Sequence, residues 1–335
     1  MIWIAVDACG GDDPAAIIRG ALAATRHGAL GVLLVGPGAI VQQHVAAAGP
    51  VKPGRVRYRD AGTAVAMADS PSAALRQQPD ASIRVAMDAV ASGDAAAVFS
   101  AGHTGATVLA AHAALGLLPG AGRPALAATI PTRRGTALLL DVGATADCRP
   151  AHLQQFGVMG SVYARLALGH ATPTVGLLSI GEEAGKGNDL TREAHRLLRQ
   201  SSLPFTGNVE ARDLYAGVAD VVVTDGFTGN VALKVSEGMV ETLEHVLRDE
   251  LTRTMAAEDV ALLAQRAIRH VHRRVDYSEY GGAPLLGVAG VTVVGHGRSS
   301  AKAVRNAVAL SYRLAVDNVM TRVGQALAEA SVGDQ

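Results

Sequence analysis

The chain has 335 residues, of which 49% are apolar and only 3% aromatic, so its core must be built from Ala, Val, Leu and Ile. Thirty basic residues balance thirty acidic ones, which excludes a global field that would draw the chain to nucleic acid or lipid. Cys9 and Cys148 are the only cysteines, a usage that indicates a reducing compartment and no disulfide framework. The acidic N-terminal stretch lacks the basic region of a signal peptide.

Short runs rich in Val, Ile and Leu recur along the chain, each followed by a glycine-rich turn and a segment with helical spacing. The runs are Ile2–Asp7, Gly31–Val35, Ala95–Ser100, Thr136–Val142, Val175–Ile180 and Asp220–Asp225. Continuous apolar runs predict strands covered on both faces, hence a mostly parallel sheet. The helical connections predict an α/β fold, a doubly wound sheet in three layers. We expect the glycine loops to share one edge of this sheet, where ligands bind.

The stretch between Asp94 and Arg123 carries no charged residue. Its apolar residues are mostly alanine and it contains several polar residues and glycines, whereas a membrane span needs about 20 strongly apolar residues. The pattern therefore predicts a buried strand, a loop and a buried helix.

After Thr228 the alternation of apolar runs and glycine turns gives way to a long segment with helical spacing. Apolar residues at helical spacing predict an amphipathic helical segment at about 235–275. It packs on the sheet or on a second subunit, or it forms an apolar tip that touches a membrane or a partner. A last helix is predicted from Lys302 to Ala328. We predict one domain over residues 1–335, in two lobes that divide near residue 140.

Common catalytic signatures are missing. The 181–187 loop has a Gly-Lys pair, but its glycine spacing is short for a phosphate-binding P-loop and no Ser or Thr follows Lys186. Ser100 lacks the glycine that a nucleophile elbow has two residues before its serine, where this chain has Val98. His270 and His272 lie among arginines, and we interpret them as part of a solvated basic segment. The sequence predicts no metal site.

Polar side chains on the glycine loops favour an anion site instead. They are Thr104, Lys186, Asn188, Asn208, Asp225, Thr228 and Asn230. Backbone N–H groups at helix starts bind anions, and amide or lysine side chains stabilise an oxyanion. For Asn188, Thr228 and Asn230 taken singly, helix capping is the better interpretation. Lys186, between two glycines, has no capping role.

At these loops the sequence resembles the bacterial phosphate acyltransferases, the PlsX-type acyl-ACP–phosphate transacylases of phospholipid synthesis. Matching motifs occur in the expected order along nearly the whole chain. They include 7–12 (DACGGD), 69–71 (DSP), 100–106 (SAGHTGA), 118–120 (LPG), 123–125 (RPA), 141–144 (DVGA), 155–161 (QFGVMGS), 181–188 (GEEAGKGN), 207–210 (GNVE), 224–234 (TDGFTGNVALK), 279–287 (EYGGAPLLG) and 296–297 (HG).

The resemblance implies a fold like that of isocitrate and isopropylmalate dehydrogenases, a homodimer, peripheral association of a cytoplasmic enzyme with the membrane, and no organic cofactor. It implies that long-chain acyl groups pass from acyl carrier protein to inorganic phosphate, and that the acyl phosphate feeds a membrane glycerol-3-phosphate acyltransferase in phosphatidic acid synthesis. By this resemblance Lys186 and Asn230 are catalytic. The phosphate and substrate would contact Gly102, His103, Thr104, Gly105, Asn188, Asn208, Asp225, Thr228 and Gly229.

Three positions depart from the family pattern. Asp13 stands where the family usually has His, and His103 and Thr145 each stand where it usually has Asn. These departures leave room for an altered acyl preference. Two other functions stay open: a short-chain phosphotransacylase that uses acyl-coenzyme A, and a non-catalytic regulator on the same fold. Acidic carrier proteins would dock on arginines at 266–274 or in the Arg298–Arg305 region.

Overall fold

The computed structural model describes residues 1–26, 28–62, 64–254 and 279–333. Eleven strands form one sheet: β1 (Ile2–Asp7), β2 (Leu30–Gly36), β3 (Val56–Asp60), β4 (Ala97–Ser100), β5 (Ala125–Thr132), β6 (Gly135–Leu140), β7 (Val175–Ser179), β8 (Phe205–Glu210), β9 (Val221–Val223), β10 (Ala283–Leu286) and β11 (Val291–Val294). The α-helices are α1 (Pro14–Ala24), α2 (Gly38–Ala47), α3 (Pro71–Gln77), α4 (Ser82–Ala91), α5 (Thr104–Leu115), α6 (Pro150–Tyr163), α7 (Asp189–Gln200), α8 (Gly226–Thr254), α9 (Ala301–Val316) and α10 (Val319–Gly333).

The mostly parallel α/β sheet with flanking helices is confirmed. All six predicted runs form strands, and the uncharged stretch folds as β4, a loop and α5. Alternate residues of one strand enter different cores: Ile4 and Val6 belong to one buried cluster and Ala5 to another. Because side chains alternate across a strand, both faces of the sheet are covered.

The sheet order is β3-β2-β1-β4-β11-β10-β5-β6-β9-β7-β8. Pairing is parallel except at β11-β10, β10-β5 and β5-β6. Three reversals turn β6, β9, β7 and β8 opposite to the strands at the other end of the sheet. The expectation that all glycine loops leave the sheet at one edge is therefore wrong.

The register nevertheless brings the two sets of carboxyl ends together. Val294, the last residue of β11, pairs with Ala283, and β10 pairs Leu285 with Leu126, a register that sets Ala283 beside Ala128. Leu140, the last residue of β6, pairs with Ala127. Strands of opposite direction thus end within one residue of each other along β5, roughly 3.4 Å.

β10, β11 and α9 pack with the first half of the sheet. One further expectation needs correction. The single last helix is two helices, α9 and α10, separated at Asn318, whose φ of 51° is left-handed. Of the amphipathic segment at 235–275, the part to residue 254 lies in α8, and residues 255–275 lie outside the described residues. Within the described ranges, no helix is long and apolar enough to cross a membrane.

Candidate active site

A cavity of about 230 Å³ lies on β5, where the opposed strands end. The loops after β4, β6 and β11 and the first turns of α8 surround it. Its lining residues are Thr104, Leu126, Ala128, Thr129, Val142, Gly143, Asn230, Leu233, Lys234, Glu237, Tyr280, Gly282, Ala283, Val294, Gly295 and His296. Polar groups on α8 and α5 thus face an apolar floor, a combination that suits an anion joined to an acyl group.

Asn230 reaches this cavity through a close approach of α8 to the loop after β6. Gly229 is buried, and a Cβ atom there would meet the Asp141 carbonyl oxygen, the Asp141 carbonyl carbon and the Thr224 methyl group. Gly143 has φ of +133° and lies against the Asn230 side chain. These two glycines let α8 start directly over the end of β6.

Asp141 holds the loop beneath α8. Its Oδ1 accepts hydrogen bonds from the N–H groups of Leu126, Gly143 and Ala144 at 2.7–3.0 Å, and its Oδ2 accepts from Thr145 at 2.7 Å. Burial raises the pKa of Asp141 to about 6, against the lowering effect of these four donors. The carboxylate thereby fixes the backbone at Gly143, which lines the cavity.

Asp7 performs the same task for the loop after β4. Its carboxylate accepts from the Ser82 hydroxyl at 2.7 Å and from the Ser100 hydroxyl at 2.8 Å, and burial raises its pKa. The Ser100 oxygen in turn accepts from the Gly102 N–H at 3.1 Å. His103 Nδ1 accepts from the Gly105 N–H at 3.1 Å and so caps α5. Because His103 caps the helix, Thr104, the first residue of α5, has no capping role, and it lines the cavity.

Lys186 lies on the loop after β7, the strand beside β9, and is exposed. It is not among the lining residues of the cavity. A Cβ atom on Gly181 would meet the Lys186 stem at 2.9 Å, so the bare glycine makes room for that side chain. The structure brings Lys186 and Asn230 to adjacent strand ends without placing both in the cavity.

Asn208 supports the Lys186 loop from below. Its Nδ2 donates to the Glu183 carbonyl oxygen at 2.8 Å, and its Oδ1 lies 2.9 Å from Nδ1 of the buried His195. Because Oδ1 only accepts, His195 must carry its proton on Nδ1. This chain of hydrogen bonds joins α7 to the loop backbone at Glu183.

Several predicted contact residues serve as helix caps. Asn188 Oδ1 accepts from the Thr191 N–H at 2.9 Å at the start of α7. Asp225 accepts from the Thr228 N–H at 2.8 Å and from the Thr228 hydroxyl at 2.7 Å at the start of α8. For α8 the cap is Asp225, not Thr228 or Asn230.

The three departures from the family pattern also have local partners. Asp13 caps α1 through the Ala16 N–H, and His103 caps α5. The Thr145 hydroxyl donates to the Pro124 carbonyl oxygen at 2.9 Å. None of the three lines the cavity.

Five polar lining residues are absent from the predicted site residues: Thr129, Lys234, Glu237, Tyr280 and His296. Lys234 follows Asn230 by four residues on α8, about one helical turn, so the two side chains lie on the same face of the helix. This spacing is the sequence feature from which Lys234 could have been predicted. Lys234 Nζ lies 2.8 Å from Glu237 Oε2. Burial, and then the charge of Lys234, lower the pKa of His296.

A larger groove of about 770 Å³ lies elsewhere, between α6, the end of α7 and α10. None of the predicted site residues lines it. We assign the chemistry to the smaller cavity, because the strand ends and the loop glycines converge there.

The chain matches the family model described as "Fatty acid synthesis protein" over residues 2–322. It is 46% identical over 327 residues to a phosphate acyltransferase of Geotalea uraniireducens, covering 97% of this chain and 94% of the relative. It is 47% identical over 334 residues to one of Desulforudis audaxviator, covering 99% and 96%. The chain belongs to the phosphate acyltransferase family. Its activity is therefore that of an acyltransferase, and its substrates include phosphate and an acyl compound.

Solved structures agree with the fold of this phosphate acyltransferase. A phosphotransacetylase from Streptococcus pyogenes aligns with a TM-score of 0.64 at 16% identity, covering 94% of each chain. A 4-hydroxythreonine-4-phosphate dehydrogenase from Klebsiella pneumoniae aligns with a TM-score of 0.54 at 13% identity, covering 94% of this chain and 99% of the other. At such identities the likeness shows the fold alone, and the expected dehydrogenase-like fold is confirmed.

Proposed function

We propose that this phosphate acyltransferase moves a long-chain acyl group from acyl carrier protein to inorganic phosphate, giving acyl phosphate and free carrier protein. The cavity carries the proposal: Thr104, Asn230 and Lys234 provide polar groups at one side, and Leu126 and Val142 lie among its apolar walls. An anion and an acyl carbonyl would meet where these surfaces join. The acyl phosphate would supply a membrane glycerol-3-phosphate acyltransferase in phospholipid synthesis.

The reaction needs positioning and charge stabilisation more than a base. Inorganic phosphate is already largely ionised at neutral pH, so one of its oxygens can attack the thioester carbonyl carbon directly. As the C–S bond breaks, the carrier thiolate leaves. Positioning contributes roughly 7–11 kcal/mol in well oriented reactions, and one oxyanion donor about 2.7–4 kcal/mol.

Asn230 and Lys186 are the catalytic residues in this proposal. Asn230 would donate a hydrogen bond to the developing oxyanion, because its amide lines the cavity. Lys186 would approach the phosphate from the neighbouring loop, where open space surrounds Gly185. The remaining predicted contacts, among them Gly105, Asn188, Asn208 and Thr228, would shape the loops and caps that hold these two residues.

The test measures acyl phosphate formed from acyl carrier protein thioester and phosphate. Asn230→Ala should lower kcat about 100-fold or more, since one oxyanion donor is lost, and Lys186→Ala should lower it as well. Lys52→Met, at an exposed position before β3, is the matched control. Near-normal turnover in Lys186→Ala would remove that lysine from the mechanism.

The donor thioester separates the two enzymatic alternatives. Short-chain phosphotransacylation with acyl-coenzyme A draws support from the phosphotransacetylase fold of the structural neighbour. Long-chain acyl carrier protein should nevertheless give the higher kcat/KM. A preference for a short-chain acyl-coenzyme A would favour the alternative. Loss of thioester that depends on phosphate would exclude a non-catalytic regulator.

Carrier docking is assigned to exposed arginines near the cavity. Arg298 and Arg305 lie exposed around the start of α9, close in sequence to His296, and the arginines at 266–274 lie outside the described residues. Acidic carrier proteins would be attracted to such a surface, with an affinity that falls as salt rises. A salt-independent KM for acyl carrier protein would contradict this assignment.

We further propose a homodimer, joined along an apolar stripe of α8. The stripe consists of exposed side chains about one turn apart: Phe227, Val231, Val235, Met239, Leu243, Val246 and Leu247. Continuous exposed apolar surface marks an interaction site. Met239→Glu should shift the sedimentation coefficient toward that of a monomer, whereas Gly238→Ala should not.

Cytoplasmic location with peripheral membrane contact completes the proposal. It rests on the resemblance and on the apolar positions at 255–275, outside the described residues. Co-flotation with anionic phospholipid vesicles is the measurement, and protein that stays at the bottom of the gradient would contradict it.

A further inference from the structure

The positive charge inside the cavity is that of Lys234, which belongs to α8. Asn230 and Lys234 are four residues apart, so their side chains lie on one face of the helix, and both line the cavity. Lys186 lies on the separate loop after β7. Among the lining residues of the described chain, Lys234 is the lysine that an anion in the cavity would meet.

Glu237 is the partner of this lysine and also lines the cavity. Lys234 Nζ and Glu237 Oε2 are 2.8 Å apart, and the two side chains are 48% and 27% exposed. An ion pair this exposed contributes little to stability, so stability alone does not explain it. One hydrogen bond leaves the ammonium two further donors, and the carboxylate keeps acceptor positions on its second oxygen.

Lys234 and Glu237 are the charged side chains among the lining residues of the cavity, because His296, which can also ionise, is neutral. Burial and the charges of Lys234 and Arg298 lower the pKa of His296, while Glu237 and Asp12 oppose that, so the imidazole is neutral at pH 7.5. The first residue of α5, Thr104, also lines the cavity, and the partial positive charge of that helix start adds to Lys234.

We propose that Lys234 and Glu237 form the acceptor end of the site and select hydrogen phosphate over sulfate. Lys234 binds the anion through its remaining donors. Glu237 accepts the hydrogen bond of the phosphate hydroxyl. An ionised carboxylate can only accept, so it matches an oxyanion that carries a proton and repels one that carries none. The inference rests on the proposed phosphate acyltransferase reaction and assigns a specificity-determining role to Glu237.

The experiment measures phosphate dependence and sulfate inhibition together. Full-length protein and the variants Glu237→Gln, Lys234→Met, Lys234→Arg and the control Lys52→Met are assayed with carrier thioester. Because Gln can donate to sulfate, Glu237→Gln should lower the ratio of the sulfate Ki to the phosphate KM by about 10-fold or more. Lys234→Met should raise the phosphate KM by roughly 10-fold, Lys234→Arg should recover most of it, and Lys52→Met should match wild type.

Phosphate binding is followed separately through the 31P line width of inorganic phosphate, with sulfate as competitor. If wild type makes no acyl phosphate but Glu237→Gln still lets sulfate displace phosphate, the proposed function fails and the selectivity stands. If turnover is normal and Glu237→Gln keeps the wild-type ratio, the selectivity is wrong and the function stands. A phosphate resonance that wild-type protein does not broaden would also overturn the inference.

Discussion

Gly229→Ala perturbs the contact that carries Asn230 into the cavity. A Cβ atom at this position would overlap the Asp141 carbonyl oxygen and lie 3.0 Å from the Asp141 carbonyl carbon. Carbon atoms in ordinary contact are about 3.5–4.0 Å apart, so the start of α8 or the loop after β6 must move by more than about 1 Å. Neither neighbour is the end of a flexible side chain.

The cost follows from that displacement. Overpacking of this kind destabilises by about 1–3 kcal/mol or more, and a displacement of about 1 Å at a catalytic group lowers the rate about 100-fold. Gly238→Ala is the matched control, because it lies on the same helix with nothing within 4 Å of its Cβ position. There, the better helix propensity of alanine should stabilise by about 0.5–1 kcal/mol.

Urea unfolding and the acyl phosphate assay measure both effects. We expect Gly229→Ala to lose stability and turnover, and Gly238→Ala to lose neither. Wild-type stability and turnover in Gly229→Ala would refute the close approach of α8 to the loop at Asp141.

Three further predictions concern the loops and the buried groups. Asn208→Ala should lower kcat more than the KM for phosphate, because the hydrogen bonds to His195 and to the Lys186 loop are lost; an unchanged kcat would show that Asn208 does not position the loop. Native Cys9 and Cys148 should alkylate slowly at pH 8, because burial raises the pKa of Cys9 to about 11 and of Cys148 to about 12 and the thiolate is the reactive form; labelling as fast as in urea would contradict this. Burial raises the pKa of Asp141 from 3.8 to about 6, so the folded state holds this proton up to a higher pH than the unfolded state does. The unfolding free energy of wild type relative to Asp141→Asn should therefore fall as pH rises from about 4 to 6. A difference that does not change with pH would contradict this prediction.

The sequence predicts the strands better than their directions. β1 and β6 are largely continuous apolar runs, which indicate strands covered on both faces. β5 is rich in alanine and contains Pro131, so its composition does not predict a central strand. Its two antiparallel pairings, together with the antiparallel β11-β10 pair, reverse the strands from β6 to β8, and no local pattern encodes that reversal.

The site could be predicted in part for a similar reason. Thr104 and Asn230 lie in the first turns of the helices that follow β4 and β9, and both line the cavity. Asn188 and Asp225 are equally polar but cap helices, and residue type alone does not separate the two roles. Lys234 and His296 required knowledge of which face of α8 turns inward and where β11 ends.

Incubation of purified wild-type protein with long-chain acyl carrier protein and inorganic phosphate tests the central claim most directly. Hydroxylamine would trap the acyl phosphate, and a thiol reagent would count the released carrier. The account predicts equal amounts of both products, in proportion to the enzyme and only when phosphate is present. Carrier thiol released without acyl phosphate, or at the same rate without phosphate, would contradict it.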